Sequence, residues 1–410
     1  MNYTMLNAPL KDQETGVLPS ELDPISLYRT LETVQDGRRK RGVRYGVALI
    51  LTLVVIGKLV GMKTPEAIGQ WVTERTDWLK EVLPCPRQRF PCVSTYRNVL
   101  RTLDAEHLNE VLAQWLVRQR AEKRCGEEPS RLVGQPEARM HEHVALDGKT
   151  LRGTQGHQAE DQRKMHQVGL YETRTGILLK EHIVGDKENE LSRVSEFLTP
   201  QWVKGRILSA DALHTQQKLC TAVVASGGDY LLFAKGNQST LKRDLCLFFS
   251  EPPVDCRDWR TAETTNSGHG RLEQRSLIAS TELNDFLAKT WPGVNQVFRL
   301  RRRFHHPLRC TQQIIYGFTS LTPAQAAPER LLELIRGHWA IENRLHWRRD
   351  VTLGEDQCQV RKGVAPRVLA VLNSFVLGLF DLLEVPNTAR QMRSFDAHPH
   401  QVIRLILTRP

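Results

Sequence analysis

Three carboxylates stand where their types and spacing could hold hard divalent cations. Asp147 ends a β-type run (His143-Val144-Ala145-Leu146-Asp147-Gly148-Lys149), Asp211 ends a second (Ile207-Leu208-Ser209-Ala210-Asp211), and Glu342 lies within a Trp-rich helical stretch. Carboxylate oxygens suit magnesium or manganese. Two such ions about 4 Å apart answer both difficulties of phosphodiester hydrolysis, the repelled nucleophile and the poor leaving oxygen. Acids at the ends of two strands and on a neighbouring helix would stand on rigid supports around one small cavity. The 64 residues from Asp147 to Asp211 accommodate two strands, a helix and a return strand. The 131 residues from Asp211 to Glu342 exceed what one strand and one helix need, so an inserted subdomain is expected.

Each acid also has a plainer reading. Asp147-Gly148 could be only a turn, and Asp211 could cap the helix that follows it. Glu342 has acidic neighbours in Asp350, Glu355 and Asp356. On a helix, however, His338, Glu342 and His346 recur every four residues on one polar face, while Leu334, Ile341 and Leu345 take the opposite side. That arrangement selects Glu342 as the ligand. His338 and His346 would then orient phosphate or the ligand carboxylate, with packing beside tryptophan as their plainer alternative.

The elements that must position these groups are readable in outline. A chain of 410 residues exceeds a single core, so two or three domains are expected. Residues 1–26 lack periodicity and read as a loose arm. Residues 27–124 read as an all-helical, DNA-binding domain. In it Thr64 caps a helix that opens on Pro65, Ser94 caps a short helix over residues 95–101, and a third helix runs from Asp104 with Leu108, Leu112, Trp115 and Leu116 on one face. Residues 125–140 read as a linker. Three strands, a helix, a strand, a helix and a strand follow, a mixed α/β order, which is the order of ribonuclease H-like domains. Residues 141–235 and 296–385 are assigned to this core, 236–295 to a β-rich insertion, and 386–410 to a carboxy-terminal tail. Helices over residues 328–349 and 368–383 complete the core.

A net charge of +11 favours a polyanionic partner. Arg38 and Arg39 are candidates to clamp phosphates, and Arg97 lies on a short helix that either touches DNA or packs in a three-helix unit. Lys149 and Arg152 follow the first acid in a Gly-rich turn where amides and cations can both face a phosphate. Arg271 and Arg275 alternate with Glu273 along a strand. The run Arg299, Arg301, Arg302, Arg303, His305, His306 and Arg309 is dense in cations, its alternative being a solvated edge strand protected by charge. The uncharged run 45–57 is too short for a bilayer, which takes about 20 residues, and reads as a buried helix, so no membrane partner is expected. The eight cysteines include no CxxC pair, which argues against a zinc site or a disulfide framework and for a reducing, cytoplasmic location.

The segments VALDGKTLRGT, ILSADALHTQ, DYLLFAKGNQ, GHGRLEQR and RGHWAIENRLHWRRDVTLGED together resemble the bacterial insertion-sequence transposases of the DDE class, of the H-repeat-associated kind, over about residues 28–385. The resemblance implies a ribonuclease H-like core interrupted by a β-rich insertion, with Asp147, Asp211 and Glu342 as catalytic triad and metal ligands. It implies two divalent cations, Mg2+ or Mn2+, double-stranded DNA (element ends and target) as partner, and a homodimer on DNA in the nucleoid. Where related triads carry Tyr, Arg and Lys around the glutamate, this chain has Ile335, His338 and Arg349, the last two keeping positive charge. The readings set against a transposase are a ribonuclease H-like repair endonuclease and a transposon-derived DNA-binding protein without catalysis.

Overall fold

The computed structural model describes residues 26–126, 142–154, 165–184, 194, 198–268, 271–306 and 309–407, except residues 40, 42, 84, 86 and 87. The expected arm and linker fall almost wholly outside this range. Two compact units are present, one of residues 1–103 with 390–410 and one of residues 104–389.

The first unit opens with α1 (Leu27–Glu32), α2 (Val47–Leu59), α3 (Pro65–Glu74), α4 (Thr76–Val82) and α5 (Val93–Leu100). The sequence VALILTLVVIGKL of α2 has no polar stripe, and all its residues are buried among neighbouring helices. A helix apolar on every side belongs in a core. Thr64 caps α3 by accepting the Ala67 amide at 3.2 Å, with Pro65 in the first position. In α5 the cap is Cys92 rather than Ser94, so the helix starts at Val93.

The second unit holds α6 (Ala105–Gly126), β1 (Glu142–Leu151), β2 (Met165–Glu172), β3 (Leu178–Val184), β4 (Arg206–Ala210), α7 (Gln217–Ala225), β5 (Asp229–Ala234), α8 (Ser239–Ser250), β6 (Arg260–Gly268), β7 (Arg271–Ser280), β8 (Gln296–His306), β9 (Arg309–Thr319), α9 (Pro328–His338) and α10 (Ala365–Leu382). The expected domain limit at residue 124 is corrected here. Helix α6 lies in the second unit because its apolar face packs on β3 and α10, with Trp115 against Phe375 at 5.9 Å between ring centroids. The expected tail is corrected too. Residues 388–407 form α11 (Thr388–Ala397) and α12 (Pro399–Leu407), and the Trp71 indole N–H donates to Asp396 Oδ1 at 2.7 Å within the first unit.

Among the described residues the strands form one nine-stranded sheet, ordered β3-β2-β1-β4-β5-β9-β8-β7-β6. Strand β2 is antiparallel to β1 and β3; β1, β4 and β5 run parallel; every pair from β5 to β6 is antiparallel. Residues 236–295 are therefore not a subdomain set apart from 296–385. Their strands β6 and β7 join β8 and β9 in an antiparallel wing of the same sheet. At the seam, Gly317 of β9 faces Phe233 of β5 and Phe298 of β8, and any Cβ there would collide with the Leu232 carbonyl oxygen and the Phe298 ring.

Helix α9 buries Leu331, Leu334, Ile335 and His338 at 3–4 residue spacing. Its apolar side chains close over Ile207, Leu231, Phe233, Leu277, Phe298 and Leu300, each burial contributing about 1.5–3 kcal/mol. The expected single helix over 328–349 ends early. From Ile341 to His346 and from Arg348 to Thr352 the backbone takes the wider π-helical winding, a form concentrated at functional sites.

A buried cation ties that segment to the sheet. Arg349 is 1% exposed; its Nε donates to both Glu355 oxygens at 2.9 Å, Nη1 to Glu181 Oε1 on β3 at 3.0 Å, and Nη2 to Gln167 Oε1 on β2 at 2.8 Å. Burial opposes the charge, but Glu355 and Glu181 outweigh it and keep the guanidinium protonated. Arg349 was expected at DNA; its enclosure rules that contact out. An Arg349→Met chain leaves the buried Glu181 without its cation and Glu355 with only Lys149 at 4.0 Å, and is expected to lose about 3–5 kcal/mol of unfolding free energy. Urea titration at neutral pH checks this, and a loss too small to measure would show the cluster to be dispensable.

Candidate active site

Parallel register assembles the site. Leu146 of β1 lies beside Ala210 of β4, so Asp147 and Asp211, the next residue in each chain segment, leave neighbouring positions. Strand β1 continues to Leu151, which puts Asp147 inside the strand, opposite Gly169 of β2, rather than at its end or in a turn. Asp211 follows β4 directly and accepts the Ala212 amide N–H at 2.5 Å at the head of a short 3-10 turn. Glu342 stands at the start of the π-helical segment.

The side chains converge unevenly. His346 Nδ1 lies 3.0 Å from Glu342 Oε2 and 3.6 Å from Asp147 Oδ2. Asp147, Glu342 and His346 each offer one donor atom, all within 4.8 Å of one another. His346, expected at DNA, is thus the third member of a candidate cation site. Asp211 is outside this group; its Oδ1 receives Lys235 Nζ at 2.6 Å. Lys235, two residues past Phe233, carries a role that the sequence reading missed. A lysine just beyond β5, the parallel neighbour of the Asp211 strand, was the available signal.

Charge and burial set the acids apart. Burial raises the Asp147 carboxyl, the nearby Glu342 and Asp211 charges add to the rise, and His346 opposes it. The hydrogen bond from His346 holds Glu342 below the usual carboxylate range. Burial also works against ionised Asp211, but the Lys235 ammonium and the Ala212 amide outweigh it, so this acid is held low. The Glu342 side chain is 66% exposed while Asp147 is 24% exposed, so the group opens to solvent on the Glu342 side.

Several expected DNA contacts are engaged otherwise. His338 is buried, with Nδ1 3.0 Å from Ser209 Oγ, and Ser209 is in turn 2.7 Å from His143 Nε2. Burial lowers His338 to about 4, so it is neutral at neutral pH and fastens α9 to β4 and β1 rather than offering charge. Lys149 is enclosed, donating to Asp350 at 2.5 Å with Glu355 at 4.0 Å. Arg275 is bound to Glu273 at 2.6 Å and little exposed, and Arg38 is bound to Asp36 and the Tyr45 carbonyl. Arg271 lies in β7, but its side chain is outside the described residues. Arg152 is 77% exposed, Arg39 is exposed, and Arg97 is half-exposed while paired with Glu66.

Removing the Lys235 charge leaves burial as the dominant influence on Asp211. In Lys235→Gln the carboxyl is therefore expected to titrate at higher pH than in the unaltered protein. Carbon-13 NMR of labelled aspartate reads this directly, and an unmoved Asp211 titration would mean that the ion pair does not control it.

The chain resembles known proteins over most of its length. Residues 28–116 match the "DDE_Tnp_1-associated" family and residues 138–378 match "Transposase DDE domain". YhhI of Escherichia coli (strain K12), provisionally named an H repeat-associated transposase, is 24% identical over 86% of this chain and 89% of its own length. An uncharacterised protein from the dhlA 3′ region of Xanthobacter autotrophicus is 27% identical over 69% of this chain and 90% of its own. A piggyBac transposase solved by cryo-EM in a synaptic complex with hairpin DNA aligns with 11% identity and a TM-score of 0.40, over 95% of this chain and 83% of that one. The domain match spans more than half of the 410 residues, and on that ground the chain belongs to the DDE transposase family.

Proposed function

We propose that this protein cuts DNA at the ends of a mobile element and joins the freed 3′ hydroxyl to target DNA, with Asp147, Asp211 and Glu342 as the acids that hold two divalent cations. The convergence of Asp147, Glu342 and His346, with Asp211 directly after the neighbouring parallel strand β4, carries this reading. The order β3-β2-β1-β4-β5, with β2 alone reversed against β1, β4 and β5, supports a ribonuclease H-like core.

The donor set fits magnesium or manganese: carboxylate oxygens dominate, and one imidazole nitrogen completes the group. Burial, and after it the Glu342 and Asp211 charges, raise Asp147, and a cation held here would offset both. Two such ions supply charge neutralisation at the phosphate and at the attacking and leaving oxygens. Asp147, central among the acids, would serve both positions, and Asp211 and Glu342 one each. His346 would orient Glu342 through its 3.0 Å hydrogen bond, whether or not it also binds a cation. Lys235 places a positive charge on Asp211. Exposed Arg39, Arg97 and Arg152 remain proposed phosphate contacts, and pairing of two element ends calls for a homodimer on DNA.

An Asp147→Asn protein that keeps its fold is expected to lose magnesium-dependent strand cleavage; undiminished cutting by this variant would defeat the assignment. Strand transfer to a second duplex separates transposition from hydrolysis alone, and sequence-specific binding that survives loss of all three acids, without cutting, would favour a non-catalytic protein. For His346→Gln the expected loss in cleavage rate or metal affinity is roughly 10–100-fold. Kinetics across a magnesium titration measure it, and wild-type behaviour would remove His346 from the site.

A further inference from the structure

The antiparallel wing outruns the parallel strands. Strand β5 ends at Ala234, opposite Tyr316, whereas β8 and β9 stay paired out to His306 and Arg309. The overhang projects beyond the end of the sheet at which Asp211 and Lys235 stand, and its two faces differ.

On the face shared with α9, Arg275 and Arg302 share one carboxylate. Glu273 binds Arg275 at 2.6 Å and Arg302 at 2.8 Å, and the Arg302 guanidinium also lies over the Trp339 ring. On the opposite face, Arg299, Arg301, Arg303 and His305 occupy alternate positions of β8, about 7 Å apart along the strand. Among the described residues none of these three arginines is ion-paired with a carboxylate. Arg299 donates to the Phe249 carbonyl at 2.8 Å, Arg303 to Gln312 at 3.3 Å, and Arg301 Nε has no hydrogen-bond partner. Glu263 is the one acid among the described residues in the cross-strand rows of β8 on this face. It lies two strands from Arg301, roughly 10 Å away at sheet spacing. Nor is this charge protecting an edge, because β8 is interior, flanked by β7 and β9.

We propose that this face of the wing seats the phosphate backbone of a DNA duplex. The Arg299 guanidinium is taken up by Phe249 of α8 and His305 lies 3.1 Å from Gln274 Oε1, so the seat rests on Arg301 and Arg303, alternate cations that match a repeating anion, with Gln274, Ser276 and Gln312 beside them able to hydrogen-bond phosphate oxygens without reading bases. His143, which alternates in register with Asp147, meets Ser209 and the α9 helix, so the acids work on the other face. The seated duplex is therefore a segment other than the one at the acids. The identity of the polyanion as DNA rests on the proposed function; the surface itself does not.

Fluorescence anisotropy on the full chain with a 30-bp duplex, without divalent metal and across a salt series, tests the seat. Arg301→Gln/Arg303→Gln is expected to reduce the slope of log Kd against log salt by about 1.8, the amount for two lost phosphate contacts. Gln312→Arg, beside Arg303 in the ladder, is expected to increase it by about 0.9, a gain that misfolding cannot produce. An unchanged slope in both variants overturns the proposal. Binding needs no chemistry, so slopes that move in a protein that never cuts DNA keep the seat and sink the transposition reading. Normal cutting with unmoved slopes does the reverse.

Discussion

Parallel pairing of β1 with β4 is the constraint on which the site depends. It sets Leu146 beside Ala210 and so brings Asp147 and Asp211 out together. Placing like charges side by side in a half-buried setting is unfavourable, and the two acids meet the difficulty differently. Asp211 has an ammonium from Lys235 and a backbone amide, and stays readily ionised. Asp147 has one amide and a histidine at 3.6 Å, and its carboxyl is driven upward. The imbalance leaves the stronger demand for positive charge at Asp147, next to the exposed Glu342.

The positive charge of the chain is divided between interior and surface. Arg349 and Lys149 are enclosed by Glu181, Glu355 and Asp350, and Arg348 is bound to Asp381 at 2.6 Å. These pairs fasten the π-helical segment to β1, β3 and α10. Breaking one partner of such a buried pair is costly, so they serve position rather than recognition. A net charge alone does not distinguish these cations from the exposed ones that can meet a phosphate.

Much of this was legible because it rests on local signals. The apolar run of α2, the Thr64 cap and the two strands leading to the aspartates follow from periodicity and turn chemistry. What was not legible depends on pairs distant in the chain. Nothing near Arg349 in sequence announces Glu181, and His338 looks like an exposed cation until Ser209 and His143 close over it. The amphipathic face of α6 was clear, but the partner it covers, β3 and α10 rather than the preceding helices, is a tertiary choice. The wing escaped for a related reason. Short polar strands read as an insertion, and only the pairing of β5 with β9 makes them part of one sheet.

That pairing passes through Gly317, where Leu232 and Phe298 leave no room for a methyl group. The consequence is mechanical. Core and wing share a joint that tolerates a single residue type, so neither can drift in spacing or tilt without the other following. A side chain at position 317 would have to displace the Leu232 carbonyl and the Phe298 ring together, so any change at this joint is felt in β5 and β8 at once.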